Sequence, residues 1–86
     1  MRESALDQLS AFEKQRIAMM SIAGMLICIM RGDDPRAAAA SERIIFTDSP
    51  EFSKLSSLIQ MPVHELREIC KSIIIGYQSR QNFKKY

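Results

Sequence analysis

The side chains that could perform acid–base or metal chemistry are few and lie far apart in the sequence. The 86 residues include one histidine, His64, and two cysteines, Cys28 and Cys70. This spacing suits no zinc site, and we recognise no nucleophile with a neighbouring base. The three glycines are isolated, so the sequence contains no glycine-rich phosphate loop. We therefore expect a protein that is not an enzyme and that holds no metal and no cofactor.

Basic residues are concentrated toward the C-terminus. The net charge is only +2, yet residues 67–86 contain five Lys or Arg residues and a single glutamate. A basic segment of this kind is typical of a surface that faces nucleic acid. It is equally typical of a solvated helix end, because cations are favoured near a helix C-terminus. The charge pattern alone leaves both interpretations open.

The composition indicates one small globular domain that covers residues 1–86. Hydrophobic residues make up 47% and charged residues 26% of the chain, which argues against both disorder and a membrane protein. Both cysteines have apolar neighbours, so we expect buried, reduced thiols and a cytoplasmic location. The first residues are polar and do not resemble a signal peptide.

The longest apolar segment, residues 17–30, predicts the central helix of the domain. We expect one helix over residues 3–31 that begins with Ser4 as its N-cap. The apolar segment is too short to cross a bilayer, so membrane insertion is not expected. Its methionines are interpreted as core rather than as a peptide-binding groove. A strip of small residues predicts close approach of a second helix in a homodimer. The candidate interface residues are Ile17, Ser21, Gly24, Met25 and Cys28.

Three shorter helices are predicted after Gly32, which is expected to end the first one. Asp34 and Pro35 suit the start of a helix over residues 35–46, and Ser49 or Asp48 precedes a helix over residues 50–59. A fourth helix starts at Pro62 and continues to about residue 82. The sequence therefore predicts an all-α bundle with a helical unit over residues 35–77. Residues 83–86 are expected to form a flexible tail.

Residues 55–69 resemble a helix-turn-helix. Ser56 occupies the small position of the first helix, Met61 the hydrophobic turn position, and Leu66 and Ile69 the core positions of the second helix. Gln60 replaces the usual glycine of the turn. The resemblance implies that the second helix enters the major groove of double-stranded DNA. With the basic C-terminal residues, the candidate DNA contacts are Val63, His64, Arg67, Lys71, Arg80, Lys84 and Lys85.

A second resemblance covers residues 35–70. An Ala-rich helix ending in Ile-Ile-Phe, then Thr-Asp-Ser-Pro-Glu-Phe and a Pro-started helix with the pair Leu66-Arg67, is similar to small phage and prophage proteins. That resemblance implies a regulatory or host-directed accessory protein. Two functions therefore follow from the sequence. One is a dimeric DNA-binding regulator, and the alternative is an inhibitor or adaptor that binds a host protein and no nucleic acid.

Overall fold

The computed structural model describes residues 9–84, and for residues 82–84 it describes the helical backbone alone. This part of the chain is all-helical, which confirms the predicted fold class. Four helices follow one another in the order α1 (Ala11–Arg31), α2 (Pro35–Phe46), α3 (Pro50–Ile59) and α4 (Val63–Lys84). Helix α1 packs against each of the other three.

Helix α1 begins later than the sequence predicted. Leu9 lies in a bend and Ser10 is the N-cap, so the helix starts at Ala11 rather than at residue 3. Ser10 forms a capping box in which its hydroxyl accepts from the Glu13 N–H, while Glu13 Oε1 accepts from the Ser10 N–H. These reciprocal bonds satisfy backbone N–H groups at the helix terminus and place the start of α1 at Ala11. The predicted cap Ser4 lies outside the described residues.

The other helix starts follow their local sequence. The Asp34 carboxylate accepts from the N–H groups of Arg36 and Ala37 at the start of α2. The Ser49 hydroxyl accepts from the Phe52 N–H at the start of α3. Both caps precede a proline whose fixed φ suits the first helical position. Gly32 ends α1 in the left-handed conformation, with φ +66°, as expected.

The turn between α3 and α4 forms a Schellman motif with glutamine in place of glycine. Gln60 has φ +66°, its N–H donates to the Ser57 carbonyl, and the Met61 N–H donates to the Ser56 carbonyl. The buried Ser56 hydroxyl also donates to the Met61 carbonyl. The departure from glycine in the helix-turn-helix resemblance therefore does not prevent the tight turn.

One core joins the four helices. It contains Ile22 and Leu26 of α1, Ile45 of α2, Phe52 of α3, and a stripe of α4 that recurs every four residues. That stripe is Leu66, Cys70 and Ile74. Ile69, expected in the core from the helix-turn-helix pattern, is 46% exposed instead. The core side of α4 thus includes Leu66, as the resemblance predicted, and continues through Cys70 and Ile74 rather than through Ile69.

Helix α4 is longer than the sequence predicted. It spans 22 residues, one more than α1, and continues through Lys84. Residues 83 and 84 therefore belong to the helix rather than to a flexible tail, and residues 85–86 lie outside the described residues. The last buried side chain of its core stripe is Ile74, so the C-terminal part of α4 extends past the core.

Candidate interaction surface

Arg67, one of the candidate DNA contacts, makes contacts inside the fold. Its Nε–H donates to the Ile45 carbonyl across 2.8 Å, and its Nη2–H donates to the Thr47 carbonyl across 3.2 Å. The guanidinium carbon lies 5.6 Å from the centroid of the Phe52 ring. The Arg67 side chain therefore caps backbone carbonyl groups at the C-terminal end of α2. We do not retain Arg67 among the candidate DNA contacts.

The other predicted DNA contacts on α4 do not share one face. Val63 is half-buried against the core, whereas His64 and Lys71 are exposed. Seven residues correspond to two helical turns, so these two lie on the same side. Arg80 is exposed nine residues further on, which places it about 180° around the helix from Lys71.

Acidic side chains accompany the exposed basic ones. Glu65 and Glu68 are both exposed in the first two turns of α4, beside His64. Each carboxylate would repel a DNA phosphate and weaken the electrostatic part of binding. The side chain of Lys84 and all of Lys85 lie outside the described residues. The described part of α4 therefore presents a mixed rather than a uniformly basic surface.

The predicted dimer residues of α1 divide between two sides of the helix. Ile17, Ser21 and Gly24 are exposed on one side, and the half-buried Cys28 joins them by helical spacing. Met25, also a candidate interface residue, instead packs against the core. The Ser21 hydroxyl donates to the carbonyl of Ile17, within its own helix. The strip provides one large apolar side chain, Ile17.

A larger apolar surface lies on a different side of α1. Phe12 is 70% exposed, Met20 64% and Met19 59%, so the interpretation of these methionines as core was wrong. Ala23 and Ile27 are exposed along the same side, and Ile69 and Ile73 of α4 are exposed next to it. We call this surface the apolar face. Its residues are Phe12, Met19, Met20, Ala23, Ile27, Ile69 and Ile73.

A groove runs along the apolar face between α1 and α4. Met19 and Ala23 form one wall, and Ile69 and Ile73 form the other. Buried core residues form the floor, and the groove encloses about 260 Å³. Toward the start of α1 it continues into a hollow of about 550 Å³ beside Phe12. The buried residues that form the floor of the groove between α1 and α4 are Ile22, Leu26, Leu66 and Cys70.

The cysteine in the floor of the groove is an apolar element of the surface. Cys70 is 1% exposed, and burial raises the pKa of its thiol. The uncharged thiol is therefore favoured, which suits a groove that otherwise contains aliphatic and methionine side chains. The floor presents apolar atoms rather than a charge to whatever lies above it.

The spacing of apolar residues along α1 in the sequence is consistent with the apolar face. Phe12, Met19, Ala23 and Ile27 recur at steps of seven, four and four residues, which is the spacing of one helical side. The core side repeats in the same way at Ala18, Ile22 and Leu26. Because the intervening residues are also apolar, the two stripes merge in the sequence. The helix then resembles one surrounded by protein on every side.

Neither a cluster of potential metal ligands nor a membrane-spanning helix is found in the part of the chain that the structure describes. Among residues 9–84, no three His, Cys, Asp or Glu side chains gather where they could hold a metal ion. None of the described helices combines the length and apolar character that a membrane crossing requires.

Comparison of the chain with models of protein families, with curated proteins and with solved structures found no match.

Proposed function

We propose that the chain is a protein-interaction module that binds an amphipathic helix on its apolar face. One observation carries this proposal. The large apolar side chains of the face are roughly half exposed or more, and three of them, Met19, Ile69 and Ile73, border a groove whose floor is the core itself. A contiguous patch of exposed apolar side chains, as opposed to single scattered ones, often marks an interaction site on a small protein.

A helix is the partner whose shape suits the groove. The two walls are neighbouring helices, and an amphipathic helix places its apolar side into such a groove through residues three and four apart. Met19 and Met20 supply flexible, polarisable contacts that adapt to the ridges of a partner. This mode of binding fits the inhibitor or adaptor role considered for the sequence, and it requires no catalytic step.

Site-specific photo-crosslinking in cells that produce the protein tests the proposal. A benzoylphenylalanine in place of Met20 puts the reactive ketone on the apolar face. The same residue in place of Arg36, which is exposed on α2, is the matched control. We expect a discrete protein adduct from position 20 that is absent from position 36. Equal labelling at both positions, or none at position 20, contradicts the proposal.

DNA binding is a second candidate, favoured by the α3–turn–α4 segment. Gln60 adopts the left-handed conformation that a helix-turn-helix glycine would adopt, and His64 and Lys71 are exposed on α4. Fluorescence anisotropy on a mixed DNA duplex at low and moderate salt tests it. Binding that weakens with salt and with Lys71→Ala supports the candidate. No binding at low salt contradicts it.

A further inference from the structure

We infer that the helix that occupies the apolar face is α1 of a second copy of this chain, in antiparallel orientation. This inference rests on the proposed function, because it names the partner of the same surface. Three observations support it. They are the extent of the face, the symmetry of its spacing and the sizes of the side chains that would meet.

The exposed apolar area of the face approaches the area that each partner of a stable dimer buries. Its six large side chains are 44% to 70% exposed. With on the order of 180 Å² for each free side chain, they expose about 600 Å² per chain. That value lies at the upper end of the largest apolar patch on a monomer, about 300–600 Å². Stable interfaces bury about 800 Å² per partner, polar atoms included, and Gln15 and Arg16, which line the hollow beside Phe12, add polar atoms to this surface.

The spacing of the α1 stripe is symmetric about the midpoint between Met19 and Met20. The exposed residues on this side occur at positions 12, 16, 19, 20, 23 and 27, so the steps are four, three, one, three and four. The stripe therefore has the same spacing when it is read in reverse. A two-fold axis through this midpoint therefore pairs each exposed position of one antiparallel helix with an exposed position of the other, so that residue i meets j and j meets i.

The side chains that would meet at symmetric positions also have compatible sizes. Phe12 meets Ile27 of the second copy, Met19 meets Met20, and Arg16 meets Ala23. The small Ala23 leaves room for the aliphatic part of Arg16, whose guanidinium extends to water at the edge. An antiparallel arrangement also opposes the two α1 dipoles, whereas a parallel one aligns them. With the α4 helices on either side, the interface contains four helices.

Sedimentation of the full-length chain tests the inference. We expect the wild type to sediment as a dimer and Met20→Glu to weaken association at least tenfold, because each dimer would gain two charges near its axis. The matched control is Ile75→Glu, which places the same charge at an exposed isoleucine outside the face. We expect that control to remain dimeric. Circular dichroism verifies that each variant is folded.

Thiol cross-linking tests the orientation. In a Cys28→Ser background, an antiparallel pair joins Phe12→Cys of one chain to Ile27→Cys of the other when the two variants are mixed. A parallel pair joins each variant to itself instead, and that result overturns the assigned order.

The two proposals fail in distinguishable ways. A wild-type monomer at hundreds of micromolar overturns the second-copy inference. If the photo-crosslink at position 20 then yields an adduct with a different protein, the proposed function stands with another partner. An adduct of twice the chain mass, together with a dimer in sedimentation, supports both. A monomer without any adduct contradicts both.

Discussion

The Nε–H group of Arg67 donates to the carbonyl oxygen of Ile45 across 2.8 Å, joining the second turn of α4 to the last turn of α2. Backbone carbonyls at a helix C-terminus lack partners within the helix, and a cationic side chain there satisfies them and opposes the negative end of the dipole. The second bond, to Thr47, uses the planar fork that arginine alone supplies. The Leu66-Arg67 pair of the phage-protein resemblance thus has a structural use here.

Replacement of Arg67 should destabilise the protein. Arg67→Ala removes two hydrogen bonds and the contact with the Phe52 ring, and we expect a loss of about 1–3 kcal/mol in the free energy of unfolding. Arg67→Lys should recover only part of it, because lysine has no planar fork. Urea unfolding measures both values. Lys71→Ala is the control, since an exposed surface change should stay within about 0.5 kcal/mol. An Arg67→Ala protein as stable as the wild type would show that these bonds are not made in solution.

Replacement of Gln60, whose backbone is in the left-handed region, should stabilise the protein rather than destabilise it. A side chain at φ +66° has a steric cost that glycine avoids, so Gln60→Gly should stabilise the protein by about 0.5–1 kcal/mol. Gly32→Ala is the matched reverse change, because Gly32 also has φ +66° and should lose a similar amount. Thermal unfolding of both variants measures the pair. Stabilisation by both changes, or by neither, would contradict the assigned turn conformations.

Local signals predicted most of the helix boundaries. Asp34-Pro35 and Ser49-Pro50 begin α2 and α3 where the sequence placed them, because a polar cap followed by proline leaves few other conformations. The predicted start of α1 was wrong because Ser4 and Ser10 both resemble N-cap residues in the sequence. The reciprocal bonds of Ser10 with Glu13 distinguish the second in the structure.

Tertiary packing could not be predicted in the same way. Whether Met20 is core or surface depends on which side of α1 the other helices cover, and an apolar residue is compatible with both. Arg67 shows the complementary difficulty. Its position in the second turn of α4 suits DNA contact, yet Ile45 and Phe52, 22 and 15 residues earlier in the chain, lie close enough to engage it. Neither contact follows from helical periodicity.

The two thiols should differ in reactivity. Cys28 is half-buried on α1, whereas Cys70 is buried in the floor of the groove and burial raises its thiol pKa. Because the thiolate is the reactive form, Ellman's reagent at pH 8 should modify Cys28 first and Cys70 much more slowly. Cys28→Ser should remove the fast phase and leave the slow one. A fast phase that persists in this variant would mean that the groove floor is open to solvent.

The capping box of α1 predicts a specific acid response. Hydrogen bonds from the backbone and the side chain of Ser10 hold the pKa of the Glu13 carboxyl below its ordinary value of 4.5. A carboxyl whose pKa is lower in the folded than in the unfolded state contributes stability above its unfolded pKa. This stabilising contribution disappears as the pH falls through the pKa of the folded state.

The variant Glu13→Gln tests this prediction, because it keeps the capping geometry but removes the charge. We therefore expect the melting temperature of the wild type to exceed that of Glu13→Gln at neutral pH, and the difference to shrink as the pH falls below about 4.5. Thermal melts across this range measure it. In a Ser10→Ala background the difference at neutral pH should be smaller, because the hydroxyl no longer contributes. A difference that is independent of both pH and Ser10 would contradict the assigned cap.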